Sequence, residues 1–259
     1  ALESPNVLGP DKTPVELLTP DYSLLDSVDY PYRPADSYFC RISKGCIRKC
    51  AFCAVPSLEP SFGYCRSITE QITDVVARFG EKQHMVVLDN NLLALDRFAR
   101  VIGEIRDLGF ANGAKRNRRM RTVDVNQGID ARLITAETAR LLATICLSPV
   151  RLAFDFDGME RLYRRAVRLL TDMGFSEFTT YVMYNFDDTP ESFYRRLSVN
   201  IELSQRLGIR VTGFPMRFVP VNDVRRGFIS SGWKWRYLRG IQCILSATHG
   251  LVSPNPEFF

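Results

Sequence analysis

Residues 37–53 read Ser37-Tyr38-Phe39-Cys40-Arg41-Ile42-Ser43-Lys44-Gly45-Cys46-Ile47-Arg48-Lys49-Cys50-Ala51-Phe52-Cys53. Ser37–Ile42 is a short β-type run and predicts a first strand. Cys46, Cys50 and Cys53 follow it with the spacing C-x3-C-x2-C, and Phe52 stands just before the last of them. Three thiolates this close can hold three irons of a cubane and leave the fourth open to a ligand. The chain has seven cysteines, the others being Cys40, Cys65, Cys146 and Cys243. An odd number, with three packed together, makes a poor disulfide framework and fits a reducing cytosol with a metal or cluster site. The competing reading is a structural zinc site that adds Cys40, Cys65 or a histidine. Zinc sites usually pair two C-x2-C halves, and no second half is present.

Outward from this stretch, β-type runs alternate with helical patterns, which predicts βαβ units and a parallel sheet. The further strands are His84–Leu88, Thr122–Asn126, Val150–Phe154, Glu177–Tyr184 and Arg210–Phe218. The helices between them cover Ser67–Phe79, Leu95–Leu108, Ala136–Ile145, Met159–Met173 and Pro190 to the residue before Gly208. Ser67 and Glu70 form a capping box, while Thr135 and Thr189 stand as N-caps. A last helix covers Lys234–Thr248. No Gly-rich dinucleotide loop follows the first strand, which weighs against an open doubly wound sheet. The expected fold is therefore α/β, a partial (β/α)6 TIM-like barrel of parallel strands with a C-terminal helical extension. The expected division is a Pro-rich lead-in or linker over 1–34, the barrel over 35–220 and the extension over 221–259.

The segment Lys44–Cys53 resembles the signature of the radical SAM superfamily. That resemblance implies a 4Fe-4S cluster on Cys46, Cys50 and Cys53 as the catalytic centre. The methionine part of S-adenosyl-L-methionine would chelate the open iron. One electron, from a donor such as flavodoxin or ferredoxin, would split the sulfonium and leave a 5′-deoxyadenosyl radical that takes hydrogen from a substrate. The likeness covers roughly residues 36–220, and only the cysteine motif in it is highly specific.

In a parallel barrel the active face is built from loops after strands. The stretch Asp89-Asn90-Asn91 follows the second strand, where the family binds the methionine amino group, although the usual Gly-Gly-Glu is absent. Gln127, Asp130 and Arg132 follow the third; a role toward methionine or substrate competes with a turn holding an internal Asp–Arg pair. Asp155 follows the fourth, where a carboxylate suits the vicinal hydroxyls of a ribose. Tyr184 and Asn185 end the fifth, and Phe214, Met216 and Arg217 lie on the sixth. Tyr184, Phe214 and Met216 are candidates for the nucleoside; Asn185 and Arg217 are candidates for the substrate. Asp187 and Asp188 are expected to serve the next helix N-terminus.

Composition sets the outer limits. The chain has 259 residues, 46% hydrophobic and 24% charged, the balance of a globular protein. Its net charge of +5 permits an anionic partner. No apolar run is long enough for a bilayer and no signal peptide opens the chain, so a cytoplasmic, non-membrane protein is expected. Ala1–Pro5 reads as the start of a cut segment. The charge run Lys115, Arg116, Arg118, Arg119 and Arg121 is read as a solvated loop, and Cys146 and Cys243 as core. The second cluster of methylthiotransferases, a cysteine-rich auxiliary domain and a corrin-binding domain are all missing from the chain. The substrate classes open at this point are a base in nucleic acid, a protein side chain and a small metabolite. A non-catalytic zinc or iron–sulfur binding module and an iron–sulfur electron carrier stand as alternatives.

Overall fold

Each of the six runs read as a strand forms one, and all six lie in parallel sheets. The computed structural model describes residues 17–25, 33–253 and 255–258. The lead-in over 1–34 lies outside these residues apart from 17–25 and 33–34. The chain divides into two units, Ala1–Gln127 with Leu141–Ser148, and Gly128–Arg140 with Pro149–Phe259. Among the described residues no helix is long and apolar enough to cross a membrane.

In the first unit β1 (Ser37–Cys40) leads to β2 (Ser43–Lys44), α1 (Val55–Leu58), β3 (Gly63–Tyr64), α2 (Ile68–Phe79) and β4 (His84–Val87). After these come α3 (Phe98–Ile105), β5 (Lys115–Arg116), β6 (Arg119–Met120) and β7 (Val123–Val125). The sheet order is β1-β4-β7, with Cys40 beside Val87 and Val87 beside Val125. Ser67 caps the helix as read, its Oγ accepting from the Glu70 N–H at 3.4 Å. Ile68, Ile72 and Val75 then fall on the buried face of α2. The long helix read over Leu95–Leu108 is shorter. It begins only at Phe98 and passes into a π turn, Arg106–Phe110, where Gly109 takes φ 88°. That turn puts the Phe110 ring edge-on to Tyr38 in the core.

The charge run is a correction. It folds into the hairpin β5–β6, with Lys115 beside Met120. Asn117 and Arg118 both take positive φ, 51° and 65°, as a two-residue hairpin turn requires. Arg121 is buried, its guanidinium 3.9 Å from the Phe110 ring centre and bonded to Glu81 at 3.1 Å. A run of like charges carries no apolar alternation, so its strand character could not be read from hydrophobic pattern.

α4 (Ala136–Leu142) starts at its cap, where Thr135 Oγ1 accepts from the Thr138 N–H at 3.1 Å. It stops before Ile145, because Ile145 and Leu147 bridge to Ala111 and Val123. The second unit holds β8 (Val150–Ala153), α5 (Glu160–Asp172), β9 (Glu177–Tyr184), α6 (Pro190–Leu207), β10 (Arg210–Arg217) and α7 (Trp235–Thr248). Its sheet order is β10-β9-β8. α6 has the boundaries read from Thr189, Pro190 and Gly208; the cap accepts from the Ser192 N–H at 3.3 Å and Gly208 is left-handed. The stretch 221–259 supplies Trp233, Leu238, Ile241 and Leu245 to a core shared with Val182, Tyr184, Phe193 and Leu197. Cys243 is exposed on α7, against the expectation of core, whereas Cys146 is buried. The helix face turned inward carries Leu238, Ile241 and Leu245, which leaves position 243 on the other side.

Candidate active site

The cysteine loop leaves the C-terminal end of β1, and the pairing of β2 with β3 ties its root. Gly45, just before Cys46, has φ 70°, and a Cβ there would lie 2.2 Å from the Ser61 carbonyl oxygen. Only glycine fits that approach. The Gly45 N–H donates to Glu59 Oε2 at 2.7 Å, and Glu59 also accepts from Arg41 and from Asn90 Nδ2 at 3.1 Å. Burial works against the Glu59 charge, but the bonds from Arg41 and Gly45 hold its carboxyl below the usual range. One carboxylate thereby joins the end of β1, the cysteine loop and the loop after β4. Sequence reasoning missed Glu59, which sits in an aperiodic stretch after α1 with nothing local to mark it.

Asp89 is a correction. It is fully buried, with Oδ2 accepting from the Ile42 N–H at 3.0 Å and Oδ1 from the Ser43 N–H and hydroxyl. Burial pushes its carboxyl up, and the Ser43 and Ile42 bonds offset part of that push. Both oxygens therefore brace β1 against β4 rather than await a ligand. Its neighbour Asn91 reaches the motif: Nδ2 lies 3.5 Å from Cys46 Sγ, and the Arg48 N–H donates to the same sulfur at 3.3 Å. The Cys53 N–H closes a turn on the Cys50 carbonyl at 3.0 Å. Cys46, Cys50 and Cys53 are partly exposed and free of disulfides. Among the described residues no three His, Cys, Asp or Glu side chains gather at the distances one ion takes. A cubane takes one thiolate on each of three irons, so its sulfurs stand farther apart than the ligands of one ion. Three sulfurs on one loop, with N–H donors aimed at Cys46, are a donor set that fits a cluster.

In the second unit Asp155 follows β8. Burial pushes its carboxyl from 3.8 to about 6, while Arg196 and Arg132 pull down and Asp130 pushes up. Those influences place Asp130, Arg132 and Asp155 near one another. Arg132 Nε binds Asp130 Oδ1 at 2.6 Å, the internal pair weighed from sequence. Arg196 on α6 is fully buried; its guanidinium pairs with Asp188 and donates to the carbonyls of Asp155 at 2.5 Å and Met183 at 2.7 Å. Asp188 is thus a counter-ion inside the unit, and it also accepts from Trp233 Nε1 at 2.9 Å. That corrects its expected place at a helix N-terminus.

The raised Asp155 value has a testable sign. Folding makes this carboxyl hold its proton to a higher pH than the unfolded chain does, so stability falls as pH rises from about 4 to about 6 and the deficit persists above. Asp155→Asn is expected to be more stable than the parent by roughly 3 kcal/mol above pH about 6 and no more stable below pH about 4. Urea unfolding across that range measures it; an equal gain at both ends would contradict a buried charge at position 155.

Two solved structures share this architecture. One is HydG, a maturase of the FeFe hydrogenase, with 15% identity and a TM-score of 0.50 over 76% of this chain and 47% of that one. The other is coproporphyrinogen III oxidase (HemN) from Escherichia coli, a radical SAM enzyme, with 15% identity and a TM-score of 0.51 over 88% of this chain and 56% of that one. This chain shares the fold of these two structures. It spans about half the length of these two proteins. No protein-family model matches it, and no curated protein matches it in sequence.

On this fold the three cysteines, Asn90, Asn91 and Gln127 all follow C-terminal ends of β1, β4 and β7, which are neighbours in one parallel sheet. Phe52 is half-buried within the loop and Gln127 is exposed. Of the residues read on β9 and β10, Phe214 and Met216 are exposed, while Tyr184 is core, 5.0 Å from Phe193 and 5.5 Å from Trp233 between ring centres. Asn185, at φ 68°, is fully buried. Its Nδ2 donates to the carbonyls of Phe218 at 3.0 Å and Phe228 at 3.2 Å, and its Oδ1 accepts from the Ser230 N–H at 2.9 Å. These bonds make Asn185 the anchor of the segment after β10, a correction to its reading as a substrate contact.

Proposed function

We infer that this chain is a radical SAM enzyme, with a 4Fe-4S cluster held by Cys46, Cys50 and Cys53. The observation that carries this is the cysteine loop itself. It leaves the end of a parallel strand in a radical SAM fold, with Asn91 and the Arg48 N–H donating to Cys46 Sγ. When bound, the cluster would relay one electron from its donor to S-adenosylmethionine, whose sulfonium bond would split to methionine and a 5′-deoxyadenosyl radical able to take hydrogen from an unactivated carbon. The chain's own part is to hold and shield. Gly45 lets the loop fold tightly over Ser61, Glu59 and Asp89 fix its position, and Asn90 and Asn91 are assigned to the methionine end. Asp155 keeps its assignment to a vicinal diol, and a flavodoxin- or ferredoxin-type donor supplies the electron. The substrate is read as a base in nucleic acid, supported by the net charge of +5 and the arginine and aromatic residues after β10. Seven cysteines outside any disulfide among the described residues support a reducing compartment such as the cytoplasm.

Anaerobic reconstitution with iron and sulfide tests the chemistry. Uptake of four irons per chain and release of 5′-deoxyadenosine under dithionite are expected. Stoichiometric zinc without iron uptake would overturn the reading in favour of a zinc module. Iron uptake without S-adenosylmethionine binding would make the chain an electron carrier.

A further inference from the structure

The segment after β10 is built as a rigid platform at the end of the second sheet where Asp155 also lies. Arg217 Nη2 donates to the Phe228 carbonyl at 2.9 Å and the Arg226 carbonyl at 3.4 Å. The Phe228 N–H donates to Asp223 Oδ2 at 2.7 Å, and Asn185 holds the same stretch from beneath. Phe218 packs edge-on against both Phe186 and Phe228. What the platform presents outward is unusual. Arg225 and Arg226 are exposed and meet no carboxylate among the described residues. Asp223, the only acid between Arg217 and Arg239, is occupied by the Phe228 N–H.

Beside it lies Trp235, 54% exposed at the start of α7. The Arg217 guanidinium sits 5.3 Å from the Trp235 ring centre while bonding the carbonyls of Arg226 and Phe228, so it links the indole to the segment that carries the two arginines. Trp233, two residues earlier, is buried with its N–H satisfied by Asp188. Trp235 therefore is not needed for the core. Its exposed indole is held in place by the Arg217 guanidinium and leaves ring surface open to solvent. A fixed aromatic face beside unpaired arginines is the arrangement that stacks an unpaired base and neutralises its phosphates.

We propose that this surface binds single-stranded nucleic acid, with Trp235 stacking a base and Arg225 and Arg226 contacting flanking phosphates. It rests on the reading of the substrate as a base in nucleic acid and names the part of the chain that would hold the strand. A single strand is specified because a base in a duplex is already stacked on its neighbours.

The test uses the reconstituted chain and fluorescein-labelled oligo(U) and oligo(dT), with a duplex and polyglutamate as competitors. Single strands are expected to bind and to quench tryptophan fluorescence. Trp235→Ala is expected to weaken binding about tenfold or more, and Trp235→Phe to restore much of it. The double variant Arg225→Ala/Arg226→Ala is expected to lower the slope of log affinity on log salt by about 1.4. Equal competition by duplex or polyglutamate, or full affinity in folded Trp235→Ala, would overturn the proposal. RNA and DNA arms decide which sugar is preferred. 5′-Deoxyadenosine release without nucleic acid is measured on the same samples. Cleavage without strand binding sinks this inference alone, and strand binding without cleavage sinks the radical SAM reading alone.

Discussion

Cys53→Ala is expected to leave a folded chain that retains neither the cluster nor the cleavage of S-adenosylmethionine. The reason is local. Cys53 ends the loop, and its N–H already closes the turn on the Cys50 carbonyl, a bond that a change of side chain does not remove. The loop root, with Gly45, Glu59, Asp89 and the β2–β3 pairing, does not involve position 53. The fold is therefore expected to survive while one iron loses its thiolate. Loss of an outer-shell partner alone lowers metal affinity or activity about 10- to 100-fold, and removal of a ligand should exceed that. Iron content, the cluster absorbance and 5′-deoxyadenosine yield read the effect. Cys243→Ala is the control, since that thiol is exposed on α7 and should change none of them. Full activity of Cys53→Ala would remove the cluster from these cysteines.

The largest effect on stability is expected from Arg196→Met. Arg196 is fully buried, with Asp188 as its partner and the carbonyls of Asp155 and Met183 as acceptors. Burial alone pulls its guanidinium down, and the surrounding carboxylates Asp188, Asp157 and Asp155 restore part of the charge. Removing the cation leaves Asp188 buried beside orphaned carbonyls, a loss of about 3–5 kcal/mol. The double variant Arg196→Met/Asp188→Leu should recover part of it, because a buried pair replaced on both sides leaves no lone charge. Urea unfolding measures both variants, and a double variant as unstable as the single would show that the pair is not the cause. In Arg196→Met the Asp155 carboxyl should also titrate higher, because the cation that holds it down is gone.

Much of the fold was legible because its signals are short-range. α6 needed only Thr189, Pro190 and Gly208, and β9 needed only one run of eight residues rich in aromatic and β-branched side chains. The cysteine motif was legible for the same reason, being three residues on one loop. The β5–β6 hairpin was hidden because strand pairing among charged residues has no hydrophobic period. α3 ran shorter than read because the chain turns at Gly109 to deliver Phe110 to the core.

Roles, in contrast, depended on where side chains end. From sequence, Asp89, Asn90 and Asn91 were three polar residues in a row. Folding turns Asp89 inward onto Ser43 and Asn91 toward Cys46, because neighbouring parallel strands bring residues more than forty positions apart to hydrogen-bond distance. Asn185 and Asp188 likewise became braces, and Glu59 became the tie of the cysteine loop, only through partners remote in the chain. The sequence by itself determined the six parallel strands, most of the helices between them and the three thiolates, all set by local propensity and spacing. Tertiary structure decided which polar groups are satisfied internally and which remain presented, since that depends on the burial and the partners each one meets.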